Sequence, residues 1–135
     1  MQDNEEAVDT RLQNAIFGMP ALHPDEQHRY LGTFYERIEL QISFKQALRY
    51  DFTSVLVAIF QQSTDYHLLL NGQLDMDVMS RYMRLANQYS VSFTIKNSHF
   101  YHNDSDSAAV ILCANHALNR TEVDILQRYP QIIQR

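Results

Sequence analysis

Residues 108–113 read Ala-Ala-Val-Ile-Leu-Cys, an uninterrupted apolar run of the length of one β-strand. Such a run is typical of a strand with both faces buried, because a half-exposed strand alternates apolar and polar residues. The stretch 91–96 does alternate, and only the polar loop 97–107 separates the two. We therefore predict a central strand at 108–113 that runs antiparallel to a neighbouring strand at 91–96, which makes the sheet a mixed one.

Outside this pair, helical and strand patterns alternate along the chain. Apolar residues recur every three or four positions in the predicted helices and every second position in the first strand. Asp75 is a natural N-cap for the longest helix, and Asn119 with Glu122 resembles a capping box for the last one. The remaining predicted elements are a helix at 5–17, a strand at 38–44, a helix at 52–60, a strand at 66–70, a helix at 75–89 and a final helix ending near Tyr129.

The first strand is predicted to have two unlike faces, and this decides the number of layers. Ile38, Leu40, Ile42 and Phe44 alternate with polar residues, so we expect these four side chains to share the core face. The strand at 91–96 alternates in the same way, so helices should cover one side of the sheet well and the other poorly. We predict an α/β protein of the α+β type: a two-layer sandwich built on a mixed four-stranded sheet, with N- and C-terminal helices added.

The polar face of that sheet is a candidate interface. A half-bare sheet leaves the apolar residues between the polar ones in contact with water, which favours coverage by the N-terminal helix or self-association into a homo-oligomer. The candidate interface residues are Glu39, Gln41, Ser43, Ser92, Thr94 and Lys96.

Composition and charge narrow the function classes. The 135 residues are 45% hydrophobic, which fits one domain over 1–135 with a real core. Acidic residues outnumber Lys and Arg by 16 to 11, and residues 1–10 hold four acids and no base, so we expect that segment to be flexible. A net charge of −5 disfavours a nucleic-acid binder.

The apolar runs are far shorter than the roughly 18 residues that span a bilayer, and the single cysteine, Cys113, fits a reducing compartment. We therefore expect a cytoplasmic protein with no membrane partner.

Three segments of the chain resemble the YueI-like family. The resemblance runs from Arg11 to Leu126, and it is carried by the order and spacing of the segments rather than by one diagnostic motif. The segments are PDEQHRYLGTFYERI at 24–38, LLLNG at 68–72 followed by the helix with Tyr82, Leu85 and Ala86 and by VSFTI at 91–95, and VILCANHALN at 110–119.

This resemblance implies a fold and leaves the function open. Members of the family are small cytosolic proteins of Gram-positive bacteria with no established function, and their fold is similar to the chorismate-mutase-like group, with a β-α-β-α-β-β core. The order of elements predicted above agrees with that core. The family provides no known catalytic or binding residues to carry over, and this chain departs from it in a longer loop at 98–107 and an extra tail at 131–135.

One group of residues is a candidate ligand site. Asn71 and Gly72 follow a predicted strand directly, and open α/β sheets bind ligands at the carboxyl ends of their strands. Arg37 has a guanidinium that can hold a carboxylate or phosphate through two hydrogen bonds. Thr33 and Glu36 precede it closely in the sequence and complete the candidate site. The alternative is a plain turn at 71–72 and ordinary ion pairing at 36–37.

Other chemical motifs are explained more simply by structure. Asp75-Met-Asp77 resembles a phosphatase signature, but helix capping accounts for both carboxylates. The stretch His99-x-x-His102-x-Asp104-x-Asp106 has metal-ligand residue types, although its composition is also that of a solvated loop. Cys113 lies in an apolar strand and is expected to be inert. We therefore assign no catalytic residue, no metal site and no cofactor.

These observations favour a non-catalytic binding or interaction module. The first alternative is an enzyme or small-molecule-binding protein with its site near Arg37 and Asn71. A weaker alternative is RNA binding, which rests on the analogy of fold alone.

Overall fold

A computed structural model describes residues 24–131. The predicted helix at 5–17, the acidic segment 1–10 and the tail beyond residue 131 lie outside the described residues. The elements in chain order are α1 (Pro24–Arg29), a short 3-10 helix (Tyr35–Arg37), β1 (Ile38–Ser43), α2 (Phe44–Arg49), α3 (Thr53–Phe60), β2 (His67–Asn71), α4 (Met76–Gln88), β3 (Ser92–Lys96), β4 (Ala108–Cys113) and α5 (Ile125–Arg128).

The strands form one mixed sheet in the order β1-β4-β2-β3. β4 runs antiparallel to both β1 and β2, and β2 runs parallel to β3. The prediction that 108–113 is a central, fully buried strand is confirmed. The prediction that it pairs with β3 is wrong: β3 lies at the far edge, beside β2. The reason is that the loop after β3 crosses the end of β2, where the Asn71 amide donates to the carbonyls of His102 (3.1 Å) and Ala108 (3.3 Å).

The main core lies between one face of the sheet and helices α3 and α4. The helix predicted at 75–89 is confirmed with its cap, because the Asp75 carboxylate accepts hydrogen bonds from the backbone N–H groups of Asp77 and Val78. Tyr82 of this helix is fully buried, and its hydroxyl accepts a hydrogen bond from the backbone N–H of Phe52 at 3.2 Å. The amphipathic helices and the alternating strands thus meet in one layer of buried side chains.

The opposite face of the sheet is covered more than the sequence predicts. A second apolar cluster lies there, and the chain after α1 contributes to it through Leu31, with Tyr30 and Tyr35 packed at its border. Its buried members are Leu31, Ile38, Leu69, Ala108, Ile111, Cys113 and Val123.

A β-bulge divides strand β1. The pairing of β1 with β4 shifts between Ile38 and Leu40, so one extra residue, Glu39, stands on the β1 side. Consequently Ile38 belongs to the second cluster, whereas Leu40 and Ile42 belong to the main core. The prediction that Ile38 shares a face with Leu40 is therefore wrong, because an inserted residue reverses the alternation.

The predicted end of the first strand is also wrong. Ser43 forms a capping box with Gln46, in which each side chain bonds the other residue's backbone N–H, and this starts α2 at Phe44. The capping box predicted at Asn119 does not form either. Asn119 has a left-handed backbone (φ 54°), and α5 begins after Asp124, whose carboxylate caps Leu126 and Gln127.

Candidate functional site

A buried carboxylate marks the site. Glu39 is 4% exposed. It stands at the bulge of β1, beside the C-terminal segment 118–131, which is joined to β1 by a hydrogen bond from the Gln41 N–H to the Val123 carbonyl (2.8 Å). Burying a lone carboxylate is costly, so its partners decide what this place can do.

Two arginines of the C-terminal segment bind Glu39. Arg120 Nε donates to Glu39 Oε1 at 2.8 Å, and Arg128 Nη1 donates to Glu39 Oε2 at 3.1 Å. Arg128 Nη1 also donates to the backbone carbonyl of Glu39. Tyr66 lies beside the same carboxylate, close enough for the charge of Glu39 to raise the pKa of its hydroxyl. Each oxygen of the Glu39 carboxylate therefore has an arginine partner, and the buried charge is compensated within the protein.

Glu39, Tyr66 and Arg120 form one wall of a cleft, which we call the α3 cleft. Its volume is about 650 Å³ and it lies between helix α3 and the C-terminal segment. Ala58 is an exposed, small residue on the α3 side and leaves the cleft open. The lining residues are Glu39, Ser54, Val55, Ala58, Ile59, Gln62, Ser63, Tyr66, Arg120, Tyr129 and Gln131.

The lining combines aromatic rings with charge. Tyr66 and Tyr129 are both half-buried, and the guanidinium of Arg128 stacks over the Tyr129 ring at 5.4 Å. Burial raises the pKa of Tyr66 above its usual 10.0, and the negative charge of Glu39 raises it further. Tyr66 therefore remains a neutral hydroxyl at physiological pH, with an apolar ring facing the same cleft.

The two arginines differ in exposure. The Arg128 side chain is 19% exposed, whereas that of Arg120 is 39% exposed. Two guanidiniums share the one negative charge of Glu39, so the group carries a surplus of one positive charge. Arg120 is the more exposed of the two arginines, so it is the one that a ligand can reach more easily.

The structure places the sequence-predicted site residues at two separate ends of the sheet. β1 and β2 both run antiparallel to β4, so the start of β1 lies at the same end as His67, the start of β2, and Asn71 lies at the other end. Strands of five or six residues separate these ends by about 13–16 Å. The structure brings Thr33, Glu36 and Arg37 together and does not bring them to Asn71 and Gly72.

Asn71 and Gly72 have structural partners. Asn71 is 1% exposed, and besides its two donated bonds its amide oxygen accepts from Gln73 N at 3.0 Å. Gly72 lies so close to Asn97 that an added Cβ would stand 1.7 Å from its Oδ1. Both residues therefore stabilise the turn that follows β2.

The other three residues sit around the start of β1. The carbonyl of Glu36 accepts from the N–H groups of Leu118 and Asn119, at 2.7 and 2.9 Å. The guanidinium of Arg37 lies over the Phe34 ring at 5.7 Å, and its buried Nε makes no hydrogen bond within residues 24–131. Thr33 lies near the thiol of Cys113, which donates to the His67 carbonyl at 3.5 Å. Burial raises the pKa of that thiol.

Only some residues of the predicted polar face are exposed to solvent. Glu39 and Ser43 are buried, whereas Ser92 and Thr94 of the edge strand are exposed. His67 lies across these two residues, with Nδ1 at 2.6 Å from the Ser92 hydroxyl and Nε2 at 2.7 Å from that of Thr94. The remaining predicted interface residues, Gln41 and Lys96, are half-buried.

In the loop 98–107, three side chains of the types that bind metals contact other residues of the protein instead. Asp106 pairs with Lys45 at 2.8 Å, Asp104 accepts a hydrogen bond from Ser107, and the ring of His99 contacts that of Phe100. Within the described part of the chain, no three His, Cys, Asp or Glu residues stand close enough to hold a metal ion.

Sequence reasoning missed the residues that build the α3 cleft. Arg120 and Arg128 are 81 and 89 positions from Glu39, so no local spacing connects them. The one available signal was an acidic residue, Glu39, between the apolar residues Ile38 and Leu40 of the first strand.

Comparisons with known proteins show that this chain is similar to uncharacterised proteins. Residues 5–124 match the model of a family described as "Protein of unknown function (DUF1694)". The uncharacterized protein YueI of Bacillus subtilis (strain 168) is 30% identical over 117 residues, which cover 87% of this chain and 86% of that protein. The crystal structure of the YueI protein from Bacillus subtilis is similar with a TM-score of 0.65 and 30% identity, covering 75% of this chain and 77% of that one. Among residues 24–131, the helices are too short or too polar to cross a bilayer.

Proposed function

This chain belongs to the DUF1694 family, whose function is unknown, and we propose that it is a non-catalytic binding module that holds a small organic molecule in the α3 cleft. The observation that carries the proposal is the cleft itself, about 650 Å³ in volume and walled on one side by the buried Glu39. Clefts for small molecules have volumes of roughly 300–1,000 Å³ and combine apolar walls with a few fixed polar groups.

The polar groups of the cleft are fixed before any ligand arrives. Glu39 is held by Arg128 at two of its atoms and by Arg120 at a third. Preorganised groups lose little entropy on binding, which favours affinity for a small ligand. The apolar wall from Val55 and Ile59 is equally rigid because both residues belong to helix α3.

The α3 cleft replaces the strand-end site as the leading position for a ligand. The strand-end hypothesis needs Arg37 and Asn71 to face one ligand, and these residues lie at opposite ends of the sheet. The wider proposal keeps the expectation of a cytoplasmic protein, which the single cysteine supports.

A thermal-shift screen against metabolites, nucleotides and divalent metals tests the proposal. A ligand at 100 times its Kd stabilises the folded protein by about 2.7 kcal/mol. Ala58→Phe fills the cleft from an exposed helix position, and Gln88→Phe, on the exposed end of α4, is the matched control. We expect hits that raise the Tm of the natural protein and of Gln88→Phe but leave Ala58→Phe unshifted. A screen without hits, or hits that stabilise Ala58→Phe equally, would overturn the proposal.

A further inference from the structure

The charges around the α3 cleft specify what kind of ligand it takes. Two guanidiniums meet one carboxylate, and among residues 24–131 the charged residues that line the cleft are Glu39 and Arg120. A cation would have to compete with two guanidiniums for Glu39, because each oxygen of its carboxylate already accepts a hydrogen bond from an arginine. The unbalanced charge is a single positive one, which suits a monoanion better than a dianion.

Arg120 has N–H groups that can donate further hydrogen bonds. Its Nε–H is used by Glu39, and its four other N–H groups make no hydrogen bond within the described residues 24–131. A guanidinium presents its N–H groups as a planar fork that matches the two oxygens of a carboxylate. Glu39 holds the Nε–H of Arg120 and thereby orients the whole guanidinium. A ligand therefore loses little binding free energy in ordering the other N–H groups.

The remaining walls fit a flat apolar body. Val55, Ile59 and the small Ala58 line the α3 side, and the half-buried rings of Tyr66 and Tyr129 line the other side. Aromatic side chains bind rings through offset or edge-to-face contacts worth about 0.5–1.5 kcal/mol beyond area burial.

Resting on the proposed function, we infer that the ligand of the α3 cleft is an aromatic carboxylate, with its ring between the two tyrosines and helix α3 and its carboxylate on Arg120. Arg128 and Glu39 act as positioning residues, because they touch Arg120 or its partner rather than the ligand.

The experiment compares two probes of equal shape and different charge. Binding of 2-naphthoate and of its neutral isostere 2-naphthamide is measured by isothermal titration calorimetry. The protein variants are Arg120→Gln, Ala58→Phe and, as a matched control, Arg84→Gln, an exposed arginine on α4 outside the cleft. Arg120→Gln leaves the Arg128–Glu39 pair in place, so we expect this variant to fold.

We expect 2-naphthoate to bind the natural protein and Arg84→Gln at least tenfold more tightly than 2-naphthamide. Arg120→Gln should remove that difference, and Ala58→Phe should weaken both probes. If the two probes bind equally and Ala58→Phe weakens both, the cleft binds ligands and the inference about charge is wrong. If neither probe binds, the inference about an aromatic carboxylate is wrong, while the broader screen still decides whether the cleft binds any ligand.

Discussion

Arg128 holds Glu39 at two points, the carboxylate and the backbone carbonyl. The first contact neutralises a charge that is buried inside the protein, and the second uses a carbonyl at the bulge of β1. This side chain joins the C-terminal segment to the edge strand β1, together with Arg120 and the backbone hydrogen bond from Gln41 to Val123. The shape of the α3 cleft therefore depends on the pair, whether or not a ligand is bound.

Replacing Arg128 should destabilise the fold strongly. Arg128→Met leaves the buried Glu39 carboxylate with the half-exposed Arg120 as its one remaining cation, and breaking a buried ion pair costs about 3–5 kcal/mol. We expect a loss of roughly 3 kcal/mol in the free energy of unfolding, measured by urea denaturation. Arg84→Met is the control, with a change within about 0.5 kcal/mol. Equal stabilities of the two variants would contradict the role given to Arg128.

Removing the Tyr82 hydroxyl should also weaken the core. In Tyr82→Phe the buried N–H of Phe52 loses its acceptor, and an unsatisfied buried donor costs about 1–3 kcal/mol. Thermal unfolding should show a lower Tm for Tyr82→Phe. The control is Tyr89→Phe, at the C-terminal end of the same helix, where the ring is only partly buried and the Tm should change little. An unchanged Tm for Tyr82→Phe would show that the hydrogen bond does not contribute.

Gly72→Ala tests the close approach of two loops. The added Cβ would collide with Asn97, so either that side chain or the backbone has to move, at a cost of about 1 kcal/mol. Adding Asn97→Ala removes the obstructing atoms and should restore most of the stability. A double variant as unstable as Gly72→Ala would show that the strain lies in the backbone instead.

His67 should titrate below its ordinary range. Burial lowers its pKa from 6.5, and the charge of Lys96 lowers it further. Below pH 6.5 the unfolded chain then binds this proton more readily than the folded protein, so stability falls as the pH drops from 6.5 through the folded pKa. NMR titration of the His67 ring should give a pKa that rises in Lys96→Gln and not in the control Lys45→Gln. An equal pKa in both variants would contradict the influence of Lys96.

The sequence predicts the layers of this fold well because burial determines its patterns. Strand β4 has six consecutive apolar residues, and its central position follows from that run. The helix at Met76–Gln88 follows from an amphipathic pattern and from Asp75 as its cap. The pairing of β3 could not be predicted, because it depends on how the Asn71 amide anchors a loop of irregular structure.

The candidate site could not be predicted from the sequence, for two physical reasons. The bulge at Glu39 reverses the alternation of β1, and a bulge leaves no signature in a pattern of apolar and polar residues. The partners of Glu39 come from the far end of the chain, so the ion pair is created by tertiary structure alone. A polar residue that reads as surface thus becomes the centre of the cleft.

Amide chemical shifts in a 15N-labelled protein reveal whether the α3 cleft binds a small molecule. On titration with 2-naphthoate, or with the best hit of the screen, we predict saturable shifts concentrated at Ala58, Tyr66 and Tyr129, with Asn71, at the other end of β2, unaffected. Saturable shifts centred elsewhere on the protein, or no saturable shift with any compound, would contradict binding in this cleft.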